Sequence, residues 1–115
     1  YVAGPYSKGD VAINVRRALE AGHLLYNAGH IPYIPHLTHF WHLVFPRPYD
    51  EWVELDKHWV SLCHAVLRLV GDSKGADQEV RSAYDLHMPV FFEFSPSGTD
   101  LDTAIAAISD YFNGR

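Results

Sequence analysis

A carboxylate near the start of a predicted helix is the group in this sequence best placed to do chemistry. Residues 73–79 read Ser-Lys-Gly-Ala-Asp-Gln-Glu; Ser73 can cap a helix, and Gly75 leaves room for a ligand. Glu79 lies near the positive end of that helix, which favours its ionised form. An ionised carboxylate held against a sugar is a competent nucleophile. The same position also suits an acid that only complements the helix dipole, and both interpretations stay open.

A second carboxylate, Asp56, falls on a helix predicted from Tyr49 to Leu62. It follows Trp52 by four residues and precedes Trp59 by three, so the three side chains share one face of the helix. An acid on an otherwise aromatic, inward face needs a partner. The pattern indicates either a functional carboxylate or an edge position whose carboxylate reaches water.

The first residues of the chain form an apolar segment, Tyr1–Ala3, that ends at a Gly-Pro-Tyr-Ser loop. Gly4 allows a ligand to approach the backbone closely, and the N-terminus of the following helix favours anions. Neither GxGxxG nor a Walker loop is present, so the NAD and ATP fingerprints are absent. The loop predicts one wall of a small-ligand site or an ordinary strand-to-helix turn; its candidate binding residues are Gly4, Pro5, Tyr6 and Ser7.

The histidines at positions 36, 39 and 42 are spaced three apart, which makes a metal site conceivable. Pro35 precedes them, no HExxH is present and no acidic residue has a fitting spacing, so we expect no metal and no cofactor. One of these histidines is instead expected to line an aromatic pocket. Cys63 is the single cysteine and cannot form an intrachain disulfide. It predicts a buried structural thiol in a reduced, cytoplasmic setting.

The elements that must position these residues alternate between strands and helices. The strand-like segments are 1–3, 31–34, 65–70 and 89–94, and the helix-like segments are 11–28, 49–62, 75–86 and about 100–112. This alternation predicts an α/β fold: a doubly wound, Rossmann or flavodoxin-like parallel sheet of four to five strands, with helices on both faces. Residues 1–115 are expected to form one domain. Ligands of such sheets bind at the carboxyl ends of the strands, where the loops converge.

The composition limits the classes of partner. The chain is 48% hydrophobic and 14% aromatic, so it can bury a core without a disulfide or a metal. A net charge of -5 provides no basic footprint for nucleic acid. No apolar stretch is long enough for a membrane span, and no signal peptide is visible. The sequence begins inside an apolar run without Met, so a few residues are expected to precede Tyr1.

Three motifs together resemble the nucleoside 2-deoxyribosyltransferase superfamily, which includes the deoxynucleoside 5'-monophosphate N-glycosidases. The motifs occur in the order and spacing of that superfamily over roughly residues 1–92: Tyr1-Val2-Ala3-Gly4-Pro5-Tyr6-Ser7, Asp56-x2-Trp59-x3-Cys63-His64-Ala65 and Ser73-x-Gly75-x3-Glu79-x3-Ala83. Their combined order is more specific than any one of them. The segment Pro35–His39 resembles a small, poorly characterised branch of the superfamily.

The resemblance implies a flavodoxin-like sheet and a retaining mechanism with three catalytic residues. Glu79 falls where the nucleophile of the family attacks the anomeric carbon and displaces the base. Asp56 falls where a second carboxylate helps to position the sugar and the departing base. Tyr1 matches a tyrosine that orients the nucleophile.

The resemblance also implies a substrate site made of two loops. Ser73 and Gly75 match the loop that binds the 5' end of the sugar, opposite the loop from Gly4 to Ser7, and His36 would lie near the base. A serine at position 73 is similar to the monophosphate hydrolases. Those enzymes usually have an arginine in the first loop, where this chain has Lys8, so phosphate binding is the weakest part of the likeness.

The function predicted from these features is hydrolysis or transfer of the N-glycosidic bond of a nucleoside or nucleoside 5'-monophosphate. The predicted partners are that small molecule and further copies of the chain in a homodimer or larger homo-oligomer. A non-catalytic module that binds or senses nucleotides is one alternative. A structural dimerising domain, with the aromatic segment 40–52 as its interface, is another.

Overall fold

The computed structural model of the protein describes residues 1–95 and 98–114, of which helices are the major part. The elements in chain order are β1 (Val2–Ala3), α1 (Val11–Asn27), a 3-10 helix (Pro35–Thr38), α2 (His39–Val44), α3 (Tyr49–Val60), β2 (Val66–Arg68), α4 (Lys74–Asp85), β3 (Val90–Phe92) and α5 (Gly98–Asn113). Among the described residues, no helix is long and apolar enough to cross a membrane.

The sheet is smaller than the sequence predicts. Three parallel strands lie in the order β1-β2-β3, with Val2 opposite Leu67 and Leu67 opposite Phe91. The expectation of a doubly wound Rossmann or flavodoxin-like sheet of four to five strands is therefore wrong for the described part of the chain. About 59% of the structure is helical, so the sheet acts as a short central support for the helices.

The segment 31–34, predicted as a strand, does not form one. It runs beside β1, and the amide of Val2 donates to the carbonyl of Tyr33 at 2.9 Å. In a parallel ladder the next bond would come from the amide of residue 35 to the carbonyl of Val2. Pro35 has no amide hydrogen, so the pairing stops after one bond. The β-branched and aromatic pattern of the segment could not outweigh this loss.

Side-chain caps begin two of the helices, and the cap by Ser73 is the one predicted from the sequence. The carboxylate of Asp10 accepts from the amide of Ile13 at the start of α1, and the hydroxyl of Ser73 accepts from the amide of Ala76 at the start of α4, both at 3.1 Å. Residues 36–49 form the 3-10 helix, α2 and a turn. This broken helical segment leads directly into α3.

Helices cover both faces of the sheet, and the two faces differ in content. We call the face covered by α1 and α5 the apolar face; its buried side chains are Val2, Ala18, Ala21, Leu25, Leu67, Leu69, Leu101, Ala104, Ile105 and Ile108. We call the face covered by α3 and α4 the site face; its buried side chains are Tyr1, Ala3, Val60, Val66, Ala76, Val80 and Ala83. Alternation along each strand sends successive side chains to opposite faces.

Candidate active site

A cavity of about 580 Å³ lies where the loops that follow β1 and β2 meet α3 and α4. Its walls include most of the residues that the sequence singles out, namely Gly4, Tyr6, Ser7, His36, Asp56, Ser73, Gly75 and Glu79. Tyr1 and Pro5 lie just behind the wall. The volume is in the range of small-molecule sites. The structure therefore brings the predicted site residues together, while their chemical roles stay predictions.

A hydrogen bond from Tyr1 positions the carboxylate of Glu79. The hydroxyl of Tyr1 donates a hydrogen bond to Oε2 of Glu79, which leaves Oε1 without a protein donor among the described residues. Tyr1 is 7% exposed, and its ring stacks on Tyr33 with the ring centres 5.6 Å apart. Because β1 and this stack fix the phenol, the carboxylate of Glu79 is fixed as well.

Burial sets the charge of the two carboxyl groups. It raises the pKa of Glu79 to about 8; the hydrogen bond from Tyr1 opposes this rise, and the charge of Asp56 adds to it. Burial also raises the pKa of Asp56 to about 6. Burial and the nearby carboxylates raise the pKa of Tyr1 far above its ordinary value, so Tyr1 acts as a phenol donor throughout the accessible pH range.

Asp56 and His36 each keep an unsatisfied buried atom. Oδ1 of Asp56 and Nδ1 of His36 have no hydrogen-bond partner among residues 1–95 and 98–114. Nε2 of His36 donates to the carbonyl of Pro5 at 2.9 Å, so Pro5 positions His36 rather than the ligand. Burial lowers the pKa of His36, which keeps the ring neutral and Nδ1 an acceptor. Unsatisfied polar atoms beside a cavity are typical of a site that a ligand completes.

The two loops of the site are packed against each other. Gly71 has a φ of +126°, and a Cβ there would lie 2.6 Å from Cγ of Pro5. Gly4 is less tightly enclosed, because its Cβ would lie 3.1 Å from Cβ of Leu69. Across the rim, the ammonium of Lys8 pairs with the carboxylate of Asp72. This contact joins the loop after β1 to the loop after β2.

Position 75 has a glycine because the hydroxyl of a tyrosine occupies the space that a side chain would need. A Cβ on Gly75 would lie 2.8 Å from the hydroxyl of Tyr49, which reaches over from α3. The hydroxyl of Tyr49 thus takes up the space next to Gly75, which also lines the cavity, and the prediction that Gly75 leaves room for a ligand stays a prediction. Ser73 lines the same region, where its oxygen already caps α4.

Sequence reasoning missed a third wall of the cavity, which comes from α2, α3 and the turn between them. We call it the α2–α3 wall and define it by five lining residues: His42, Arg47, Tyr49, Trp52 and Lys57. A signal for part of it was present, since residues 49, 52, 53 and 56 follow the i, i+3, i+4, i+7 spacing of one helix face. Trp59, grouped with Trp52 in the prediction, instead stacks on Tyr33 at 4.8 Å.

The histidines do not converge on a common point. His36 contacts Pro5, His39 bonds to the hydroxyl of Tyr6, and His42 accepts from the indole of Trp52. Within the described ranges, no group of three or more His, Cys, Asp or Glu side chains could hold a metal ion. Cys63 is half-buried against the buried side chains of the site face.

Comparison with known proteins places the chain in one family. No curated protein and no solved structure matches it significantly. A family model described as a domain of unknown function, DUF7768, matches residues 1–93. That span contains the whole sheet and every residue of the cavity, while α5 lies beyond it. The chain belongs to the DUF7768 family of domains of unknown function.

Proposed function

We propose that this domain cleaves the N-glycosidic bond of a nucleoside or nucleoside 5'-monophosphate, with Glu79 as the nucleophile. The observation that carries the proposal is the arrangement around Glu79. A half-buried carboxylate lines a cavity of about 580 Å³, is held by the phenol of Tyr1, and shares the cavity with Asp56. Two carboxyl groups with different environments in one cavity are typical of glycosidic chemistry. The sequence resemblance supports the same roles.

The proposed reaction has two displacements at the anomeric carbon. Oε1 of Glu79 attacks this carbon, the bond from carbon to the base nitrogen breaks, and its electron pair leaves with the base, which then takes up a proton. The product is a glycosyl ester of Glu79. Water, in hydrolysis, or a second base, in transfer, then attacks the same carbon, and the ester electron pair returns to the carboxylate. The attacking water or second base loses one proton during this second step.

Tyr1 and Asp56 support this chemistry in different ways. The hydrogen bond from Tyr1 opposes the rise in the pKa of Glu79 that burial causes, so it increases the ionised fraction. The hydrogen bond leaves the second oxygen of Glu79 for attack. Oδ1 of Asp56 lacks a partner in the described structure, and a sugar hydroxyl would satisfy it. Asp56 therefore positions the sugar.

The 5' end of the sugar would lie at the start of α4. Ser73 and Gly75 line this part of the cavity together with Lys74, and Lys8 lies on the rim. A helix N-terminus favours a phosphate or a polarised hydroxyl. The pairing of Lys8 with Asp72 reduces the positive charge available here. An unphosphorylated nucleoside and its monophosphate both remain in the proposed substrate class.

Release of free base tests the proposal. Ribonucleosides, 2'-deoxyribonucleosides and their 5'-monophosphates are incubated with the protein, and the free base is measured by chromatography. Wild type should release base from at least one of them, and Glu79→Gln should be slower by about 1,000-fold or more. The matched control is Asp85→Asn, an exposed acid at the other end of α4 and outside the cavity. Equal rates in wild type and Glu79→Gln would refute the assignment.

A second candidate is a nucleotide-binding module without turnover. The observation that favours it is the pKa of Glu79, which burial raises to about 8, so the group is mostly protonated at neutral pH. A protonated Glu79 would donate to a ribose hydroxyl rather than attack carbon. Nucleotides would then raise the thermal midpoint while no base is released from any substrate.

The proposed setting is a homo-oligomer in the cytoplasm. On and just after α2, the large apolar side chains of Phe40, Leu43, Val44 and Phe45 are exposed, and apolar surface of this kind favours association. The thiol of Cys63 is free, which is compatible with a reducing compartment. Analytical ultracentrifugation of the wild-type chain tests the association, and a monomer at micromolar concentration would contradict it.

A further inference from the structure

The α2–α3 wall offers a flat aromatic surface at the cavity. The rings of Trp41 and Trp52 meet nearly at right angles with the centres 5.1 Å apart, and the guanidinium of Arg47 lies 5.5 Å from the centre of the Trp41 ring. The rings of His42 and Trp52 are also steeply inclined to each other, with the centres 5.6 Å apart and a hydrogen bond between their edges. These contacts hold the indole in one orientation. A planar heterocycle is the ligand group that such a surface fits.

A hydrogen bond from Trp52 determines which nitrogen of His42 carries hydrogen. The indole N–H can only donate, and it lies 2.7 Å from Nδ1 of His42. The backbone amide of Arg47 also donates to Nδ1, at 3.3 Å. Nδ1 must therefore hold a lone pair, and the hydrogen of the neutral ring lies on Nε2. Nε2 has no protein partner in the described part of the chain, and His42 is one of the residues that line the cavity.

Two cationic groups of the wall are donors only, and the hydroxyl of Tyr49 can donate as well as accept. Guanidinium and ammonium groups cannot accept hydrogen bonds, and Arg47 and Lys57 both line the cavity. Their ion pairs are long and exposed, at 3.9 Å from Arg47 to Glu51 and 3.6 Å from Lys57 to Glu54. Exposed pairs of this kind rearrange at little cost. A ligand that matches the wall has acceptor atoms on the edge of a flat ring.

We infer that the α2–α3 wall is the subsite for the leaving base and that His42 selects bases with a carbonyl oxygen over bases with an amino group in the same place. This inference rests on the proposed function and names the substrate class of the same site. When the bond from sugar to base breaks, the electron pair spreads over the ring onto the carbonyl oxygen. A donor at that oxygen is therefore worth more in the transition state than in the bound substrate.

Matched substrates test the selection. Inosine is compared with adenosine, and uridine with cytidine, each also as the 2'-deoxynucleoside, because the members of each pair differ only in the oxo or amino group and in the hydrogen on the adjacent ring nitrogen. Wild type should favour the oxo member by about 10- to 100-fold in kcat/KM, since an amino group leaves the donor unpaired. In His42→Phe, this ratio should fall towards one.

A second variant distinguishes the effect of the His42 tautomer from the effect of the aromatic ring of Trp52. Trp52→Phe keeps an aromatic ring but removes the N–H that fixes the tautomer of His42. We expect the ratio of kcat for the oxo substrate to kcat for the amino substrate to fall several-fold, while stacking is retained. Trp59→Phe is the matched control, because Trp59 lies outside the cavity and stacks on Tyr33; its ratio should equal that of wild type. Imidazole ¹⁵N NMR should find hydrogen on Nε2 of His42 in wild type and a mixture of tautomers in Trp52→Phe.

The outcomes distinguish the two proposals. Base release with no oxo preference, or with an amino preference, would overturn the role of His42 and leave the proposed reaction intact. Hydrogen on Nδ1 of His42 in the NMR spectrum would overturn it independently of any activity. No base from any substrate, with a folded protein, would overturn the proposed function and the inference together.

Discussion

The two faces of the sheet use the same three strands for different purposes. The apolar face buries mainly hydrocarbon, from Val2, Leu67 and Leu69 of the sheet region to α1 and α5, while the buried carboxylate of Glu93 pairs with Arg17 of α1. The site face buries smaller side chains and has Tyr1 bonded to Glu79 on the cavity wall. Alternation within β1 separates the functions, because Val2 points to one face while its neighbour Tyr1 points to the other.

This difference indicates which face of the sheet stabilises the fold and which face contains the groups proposed for catalysis. Burial of hydrocarbon on the apolar face stabilises the domain, whereas burial of two carboxyl groups on the site face destabilises their charged forms. We therefore expect substitutions on the apolar face to reduce the free energy of unfolding. Neutral substitutions on the site face should reduce activity and increase stability.

The largest effect on stability is expected from Leu67→Ala. Leu67 is 2% exposed at the centre of the apolar face, and truncation of such a side chain costs about 3 kcal/mol through lost burial and the cavity it leaves. Urea unfolding at neutral pH measures the change. Base release per folded molecule should be unchanged, and a loss below about 1 kcal/mol would show that the apolar face is not the main source of stability.

Glu79→Gln should act in the opposite direction and depend on pH. The unfolded chain ionises Glu79 near the ordinary value of 4.5, whereas the fold raises its pKa to about 8. The wild type therefore binds more protons when folded, and its stability falls relative to the variant as the pH rises between these values. We expect Glu79→Gln to be more stable by on the order of 2 kcal/mol at about pH 9, and equal to wild type near pH 4.

Thermal unfolding across this pH range measures that difference. Asp85→Asn on the same helix should show no comparable trend, because Asp85 is exposed. A wild type that is more stable than Glu79→Gln at alkaline pH would contradict the account of a buried, destabilising carboxylate.

A smaller effect is expected from Tyr1→Phe, which keeps the ring and removes the hydrogen bond to Glu79. That bond lowers the pKa of Glu79, so its loss should move the midpoint of the pH profile of kcat/KM upward by about one unit. Tyr33→Phe is the matched control, since Tyr33 stacks on Tyr1 without a hydrogen bond to Glu79. An unchanged midpoint in Tyr1→Phe would leave Tyr1 with a packing role only.

The sequence predicts the site better than the sheet because the site depends on short-range rules. Ser73 as a cap, Glu79 in the first turns of α4 and the Gly-Pro loop are local patterns, and the convergence of loops at strand ends follows from parallel pairing. The segment 31–34 has a strand-like composition, but its pairing depends on which amides can reach β1. Pro35 removes the next donor, an effect that composition alone does not reveal.

The α2–α3 wall was missed for a different reason. Residues 36–49 have no clean periodicity, so the sequence does not predict where α2 turns into α3. The contact of Trp52 with His42 joins residues on two helices across that turn. The sequence predicts only that Tyr49, Trp52 and Asp56 share one face of a helix. The orientation of this face towards the cavity depends on the packing of α3 against α4.

The most direct test of the central claim is to trap the glycosyl ester on the protein. The wild type is mixed with a nucleoside that it cleaves, quenched in acid within the first turnovers, digested and analysed by mass spectrometry. We expect a pentosyl group on the peptide that contains Glu79, absent from Glu79→Gln. Steady release of base with no adduct, or with the adduct on Asp56, would contradict the assignment of Glu79 as the nucleophile.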